Sequence, residues 1–185
     1  MKRNLIFLDG DPMEDKKVWS LLRLKANSDK ELKEKYRQVY IEEYVTKEIY
    51  DWMGNRIFFA AHQFHHAFSE SSNYRESFGD HDIPFSKRRA RHILWIKKAL
   101  MVAPSQKSYT VECRSEMRKK RRRGRQTNVV TRTYTVIEER YVVVLDKKNN
   151  EYHFVTAIPA SASYIRDIIK KSALIATKKY ENKEE

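Results

Sequence analysis

The stretch NVVTRTYTVIEERYVVVLD, residues 128–146, decides the fold class because apolar and polar residues alternate along it. Such alternation, in a segment rich in Val, Thr and Tyr, is typical of β-strands that bury one face. Two neighbouring segments share the pattern, KSYTVEC at 107–113 and EYHFVTAIP at 151–159, and KKNN at 147–150 predicts a turn between strands. These segments together predict three or four antiparallel strands in a meander.

Helical spacing of apolar residues dominates the rest of the chain. The predicted helices are MEDKKVWSLLRLKA (13–26), KELKEKYRQVYIEEYVTKEIYDWM (30–53), NRIFFAAHQFHHAF (55–68), RARHILWIKKALMVAP (89–104) and SYIRDIIKKSALIATKKY (163–180). Ser28 or Asp29 is expected to cap the second helix, Gly54 to break or close it, and Pro104 to end the fourth. The expected fold is α+β, with N-terminal helices packed on a three- or four-stranded antiparallel meander and a C-terminal helix.

Composition limits the classes of partner. The chain has 185 residues, 41% of them hydrophobic, and a formal net charge of +13, which favours a polyanion and most often nucleic acid. A single cysteine, Cys113, excludes an internal disulfide and favours a reducing, cytoplasmic compartment. No apolar run reaches the roughly 18 residues that a membrane span needs, so we expect no membrane partner.

Three histidines on the third predicted helix, His62, His65 and His66, are the richest source of catalytic chemistry. His62 and His66 share a helix face, but the sequence HQFHH lacks the glutamate of the helical zinc-protease motif. We therefore expect no metal and no cofactor. A histidine can act as general base or acid near neutral pH, because its ordinary pKa is about 6.5. Packing against the neighbouring aromatic residues is the alternative.

Positive charge is concentrated where the helix 89–104 begins. The residues concerned are Lys87, Arg88, Arg89, Arg91 and His92. The helix macrodipole disfavours cations at this end, so a negative group must compensate. A substrate phosphate would do so. The alternative is a set of acidic side chains just upstream: Glu70, Glu76, Asp80 and Asp82.

A basic insertion, RSEMRKKRRRGRQTN (114–128), separates the first two predicted strands. Seven of eight consecutive positions are positively charged: Arg118, Lys119, Lys120, Arg121, Arg122, Arg123 and Arg125. Because like charges repel, we expect a flexible hairpin tip or arm outside the core. Such an arm would bind phosphates; a solvated loop or a localisation signal is the alternative.

The order of RRARHILWIKKALMVAP, ERYVVVLDKKNNEYHFVTAIP and the histidines before them resembles the phage branch of the barnase–EndoU–colicin–RelE nucleases. The likeness spans residues 60 to 160. It implies a nuclease domain at 56–180 after a helical region at 1–55, although one continuous domain is equally compatible. It also implies metal-free action on RNA, with His65 or His66 as the helical histidine.

The same resemblance places the family's helix-entry arginine at Arg89, with Arg91 close by, and its late-strand hydroxyl at Thr156. His92 stands where the family usually has a second arginine. Tyr141 is a weaker candidate, because its phenol can face the site or pack in the core. His153 is held in reserve as the second acid or base.

The leading hypothesis is a metal-independent endoribonuclease of phage, mobile-element or toxin type, acting in the cytoplasm of a host cell, with RNA favoured over DNA. A non-catalytic nucleic-acid-binding protein on a nuclease-like scaffold is the alternative, because the basic insertion is longer than catalysis requires. In a third hypothesis the N-terminal helices bind a protein partner or inhibitor through Tyr36, Tyr40, Tyr44 and Tyr50. The oligomeric state is left open.

Overall fold

The computed structural model describes residues 17–70, 84–122 and 124–183. Its helices are α1 (Asp29–Tyr40), which continues into a π-helical segment (Ile41–Val45), α2 (Gln63–Ala67), α3 (Lys87–Ala90), α4 (Trp95–Met101) and α5 (Ala162–Lys171). Its strands are β1 (Ile49–Tyr50), β2 (Arg56–Phe58), β3 (Tyr109–Arg122), β4 (Arg125–Val136), β5 (Tyr141–Lys148), β6 (Glu151–Pro159) and β7 (Ala173–Tyr180). Within the described residues these strands form one curled, mixed sheet in the order β1-β2-β6-β5-β4-β3-β7.

The expected architecture, helices packed on a meander of three or four strands with a C-terminal helix, is wrong. The strands β3 to β6 do pair antiparallel in succession, but the sheet continues on both sides of them. β2 joins β6 in parallel, β1 joins β2, and β7 joins β3. Unpaired strand edges expose backbone donors and acceptors, so these additional strands satisfy groups that a four-stranded meander would leave open.

The segment 163–180, predicted as one helix, is helical only in its first half. Ser172 ends α5 in an extended conformation, with φ −125° and ψ 151°. The chain then pairs with β3, and the ring of Tyr180 stacks on that of Tyr109 with 5.5 Å between centroids. Ile and Thr in this second half favour a strand, and an available sheet edge decides the outcome.

The segment 55–68, also predicted as a helix, begins as β2. Ile57 and Phe59 are buried and Phe58 is exposed, so the period here is two rather than 3.6. A turn joins β1 to β2, and in it the carboxylate of Asp51 accepts the N–H groups of Met53 (2.9 Å) and Asn55 (2.8 Å). Gly54 has φ +80° in this turn. The helix predicted at 30–53 has already ended at Val45, and β1 lies between it and the turn, so Gly54 neither breaks nor closes that helix.

The first predicted helix does not form in its described part, and its residues 13–16 lie outside the described ranges. Val18, Trp19 and Leu22 are buried in a segment without regular secondary structure. Its backbone is bound elsewhere: the N–H of Val18 donates to Glu139 Oε1 (2.6 Å), and the N–H of Leu22 donates to the Arg91 carbonyl (2.9 Å). Tertiary hydrogen bonds have replaced the helical ones.

The segment 89–104 is interrupted rather than continuous. Tight turns at 91–94 separate α3 from α4, and their carbonyls accept donors from outside the helix. Tyr44 Oη donates to the carbonyl of Ile93 (2.5 Å), and Tyr141 Oη donates to that of His92 (3.2 Å). These contacts, with the one from Leu22, hold the carbonyls that a regular helix would use internally.

Two apolar clusters flank the sheet. The larger one, on the face we call the core face, draws on both the N-terminal region and the strands: Trp19, Tyr40, Tyr44, Trp95, Tyr134 and Phe154 are among its members. The smaller one lies under α5, on the α5 face, where Ile168 packs against Val142 and Val144. Tyr36, Tyr40 and Tyr44 are thus buried in the chain's own core, whereas Tyr50 is exposed.

Candidate catalytic junction and nucleic-acid interface

Three elements meet at what we call the junction: α2, the start of α3 and the C-terminal half of β6. Thr156 Oγ1 on β6 donates to the carbonyl of Ala67 at the end of α2 (3.4 Å). Gln63 Nε2, at the start of α2, donates to the carbonyl of Val155 (2.6 Å). The N–H of Ser86, the N-cap of α3, donates to the carbonyl of Phe68 (2.7 Å). These elements are far apart along the chain, and in the fold they are joined by hydrogen bonds.

The histidines of the predicted site lie on α2, the helix whose last residue, Ala67, accepts the hydrogen bond of Thr156. His65 is exposed and His66 is half-buried. The ring of His65 lies edge-on to that of Phe64, with 5.7 Å between centroids, while Phe64 itself is fully buried. Phe64 therefore anchors the helix in the core while His65 stays at the surface. His62, at the N-cap position of α2, is exposed as well.

The arginines of the predicted site lie on and beside α3. Arg88 is exposed, and its Nη2 donates to the carbonyl of Pro159 at the end of β6 (3.4 Å). Arg89 is half-buried and Arg91 is exposed. Lys87 pairs with Asp29 at the start of α1 (2.7 Å). Of the acidic residues expected to offset these cations, Glu70 is exposed, and Glu76, Asp80 and Asp82 lie outside the described ranges.

His92 and Tyr141 lie in the core rather than at the surface of the junction. The two rings stack with 5.5 Å between centroids and 17° between planes. Burial lowers the pKa of His92 to about 4, and the nearby charges of Lys17, Arg88 and Arg91 act in the same direction. Burial also raises the pKa of Tyr141, whose phenol donates to the carbonyl of His92. His92 is therefore neutral near pH 7, and neither ring is placed to meet a phosphate in this structure.

His153 lies on β6 upstream of Thr156, with its ring 5.0 Å from that of Phe58. Its direct cross-strand partner on β5 is Asp146, so both side chains project on the α5 face. Asp146 is buried and accepts Lys120 Nζ at 2.7 Å and Thr131 Oγ1 at 2.9 Å. Sequence reasoning missed this polar row. Its one signal was an aspartate closing the apolar run YVVVLD.

The basic insertion is a hairpin of two paired strands, β3 and β4, which is one of the two forms expected of it. Cross-strand pairing of β3 with β4 runs from Val111↔Val136 to Arg122↔Arg125. β7 pairs with β3 only as far as Ser115, and β5 pairs with β4 only as far as Thr131. Residues 117–122 and 125–130, here called the basic ribbon, therefore project beyond the neighbouring strands. Gly124, with φ +78°, lies in the turn at its tip.

The two faces of the basic ribbon differ in how their charges are balanced. On the α5 face, Arg118 pairs with Glu116, and Lys120 pairs with Asp146. On the core face, Lys119 and Arg121 are exposed and form no ion pair within the described part of the chain. Arg125 is exposed too, Arg122 is described only in its backbone, and Arg123 lies outside the described ranges.

The described residues contain no group of three or more His, Cys, Asp or Glu side chains arranged to hold a metal ion. None of the described helices is long and apolar enough to cross a membrane. Comparisons of the chain with protein-family models, with curated proteins and with solved structures found no match.

Proposed function

We propose that this protein is a metal-independent endoribonuclease whose catalytic groups lie at the junction. The observation that carries the proposal is the contact of Thr156 with the end of α2, together with that of Arg88 with the end of β6. These two contacts support the proposal because the elements that they join carry histidines, arginines and a hydroxyl group. Those are the groups that RNA cleavage without a metal requires.

In the proposed reaction, the ribose 2′-oxygen attacks the adjacent phosphorus and the bond to the 5′-oxygen breaks. One histidine, His65 or His66, accepts the 2′-hydroxyl proton, and a second acid protonates the leaving 5′-oxygen. The products are a 2′,3′-cyclic phosphate and a free 5′-hydroxyl, so no water or cofactor is consumed in this step. His153 is the reserve candidate for the acid.

Positive charge and the hydroxyl would stabilise the phosphorane in this scheme. Arg88 and Arg89 lie on α3 and Arg91 is its C-cap, and charge-assisted hydrogen bonds to phosphate are the strong ones. The hydrogen bond of Thr156 to Ala67 is long at 3.4 Å, so this hydroxyl can turn to a phosphate oxygen at small cost. A contact formed in the transition state would raise the turnover rate.

The test is cleavage of a labelled RNA in excess EDTA. Wild-type protein is expected to yield fragments ending in 2′,3′-cyclic phosphate, and the double variant His65→Ala/His66→Ala is expected to yield none. His62→Ala is the matched control, because His62 is exposed at the other end of α2. Absence of cleavage by the wild type at every protein concentration refutes the proposal, as does full activity of the double variant.

A second candidate function, nucleic-acid binding without catalysis, is favoured by the projecting basic ribbon. The ribbon's length and the unpaired positive charge on its core face would favour nucleic-acid binding whether or not the junction cleaves RNA. Tight RNA binding by the wild type with no cleavage in the same tube would select this function over the first.

A further inference from the structure

Both faces of the basic ribbon carry positively charged side chains. The faces differ in whether those charges are paired with carboxylates. On the α5 face, Arg118 and Lys120 already have carboxylate partners, so a phosphate would have to displace Glu116 or Asp146. On the core face, the charges of Lys119 and Arg121 are exposed and unopposed among the described residues. Phosphate binding there releases counterions without breaking an existing ion pair.

The core face of the basic ribbon also carries polar amides. Asn128 is the cross-strand partner of Lys119, and Gln126 is the partner of Arg121. Direct partners project on the same face, so two cations and two amides form one exposed surface. Met117 extends it toward the sheet and is 63% exposed. We call these five residues the ribbon face.

No aromatic side chain occurs between Arg114 and Thr133. Proteins that bind unpaired bases use aromatic side chains as stacking platforms, and the ribbon face offers none. Its cations and amides instead match the phosphates and 2′-hydroxyls that line the wide, shallow minor groove of an RNA double helix. A two-stranded surface without aromatic side chains can lie along such a groove without inserting between bases.

We infer that the ribbon face binds base-paired RNA, so that the protein recognises a double-helical segment through the ribbon. The choice of RNA rests on the proposed function. The choice of face rests on the ion pairs of the ribbon, and the choice of a double helix rests on its lack of aromatic side chains. On the α5 face, the Lys120–Asp146 ion pair ties the ribbon to β5.

The test measures binding by fluorescence anisotropy, with the His65→Ala/His66→Ala protein so that the RNA stays intact. Arg121→Gln and Arg118→Gln form a matched pair, since each removes one arginine charge from a different face. Arg121→Gln is expected to weaken binding to a short RNA duplex about tenfold and to lower the log–log salt slope by about 0.9, the value for one duplex phosphate contact. Arg118→Gln is expected to change the affinity less than twofold.

Lys119→Gln tests the second cation of the ribbon face and is likewise expected to weaken binding to the RNA duplex. Circular dichroism of each variant verifies the fold. Equal effects of Arg118→Gln and Arg121→Gln would overturn the assignment of the face. Single-stranded RNA binding as tightly as the duplex would overturn the choice of a double helix, and a DNA duplex binding more tightly would overturn the choice of RNA. The failure of the proposed function is read separately, from the absence of cleavage by the wild type.

Discussion

Lys120 Nζ lies 2.7 Å from each carboxylate oxygen of Asp146, a contact that ties the β3 strand of the basic ribbon to β5. Asp146 is 4% exposed and Lys120 is half-buried, so the pair is shielded from solvent on one side only. Thr131 Oγ1 completes the arrangement by donating to the same carboxylate. Removing one partner would leave the other charge poorly solvated.

Lys120→Met is therefore expected to lower the free energy of unfolding by about 3 kcal/mol, because it removes the lysine charge from beside the buried Asp146 carboxylate. The double variant Lys120→Met/Asp146→Asn should recover part of that loss, since no buried charge remains. Urea unfolding of both variants measures the difference. Lys119→Met is the control: its lysine lies on the other face, and we expect a change within about 0.5 kcal/mol. Equal losses for both lysines would refute a stabilising role for the pair.

Burial of His92 predicts a specific dependence of stability on pH. Its pKa is about 4 in the folded protein and about 6.5 in an unfolded chain. Below pH 6.5 the unfolded state takes up a proton that the folded state refuses until about pH 4. This contribution is thus complete above pH 6.5 and is lost as the pH falls to 4, by about 3 kcal/mol in total.

Denaturant unfolding of the wild type and of His92→Gln at pH 7, 5.5 and 4 measures this contribution. The difference between the two proteins cancels the titration of carboxylates common to both. We expect the wild type to lose more stability than the variant between pH 7 and pH 4. Parallel pH curves would contradict the burial of a neutral imidazole.

Sequence periodicity identified the strands best where an alternating segment was also long. β6 was predicted at 151–159 and is found at Glu151–Pro159, and Ser28 caps α1 as expected. The pattern failed at Arg56–Phe58 and Ala173–Tyr180, where short apolar runs fit both periods. These segments became strands because the edges of β6 and β3 were available for pairing. The local sequence does not show which sheet edge is available.

Charge repulsion predicted a hairpin tip or arm outside the core, but it did not indicate the long strand pairing that forms the basic ribbon. In a paired ribbon, successive side chains project to opposite faces, and Glu116 and Asp146 balance two of the cations on one face.

The junction could not be predicted from local sequence either, because its residues come from distant parts of the chain. Thr156 and Ala67 are 89 residues apart, and only the fold brings their elements into contact. The resemblance named Thr156, but no spacing in the sequence placed it beside α2.

Thr156 provides a direct test of the proposed chemistry at the junction. Thr156→Val removes the hydroxyl while keeping the shape, and the turnover rate is expected to fall about 100-fold, as for the loss of one transition-state donor. Thr156→Ser retains a hydroxyl and should keep most of the activity. Single-turnover cleavage of RNA measures both rates. Thr127→Val is the control, because Thr127 is exposed on the basic ribbon. Unchanged turnover in Thr156→Val would remove this hydroxyl from the site.

The basic ribbon predicts how binding depends on salt when its distal charges are removed together. The variant Arg121→Gln/Arg122→Gln/Arg123→Gln/Arg125→Gln keeps the Lys120–Asp146 contact, so the ribbon stays anchored to the sheet. Each lost phosphate contact lowers the log–log slope by about 0.9 on a duplex, so four contacts give a fall of up to about 3.6.

Phosphates carry no base identity, so affinity should fall equally for RNA duplexes of different sequence. Turnover at saturating RNA should change little, because the ribbon lies outside the junction. Titrations at three salt concentrations, followed by cleavage assays at saturation, measure both quantities. An unchanged salt slope would make the distal ribbon a solvated hairpin. Loss of turnover with affinity retained would place one of its arginines in the active site and displace the arginines of α3 from that role.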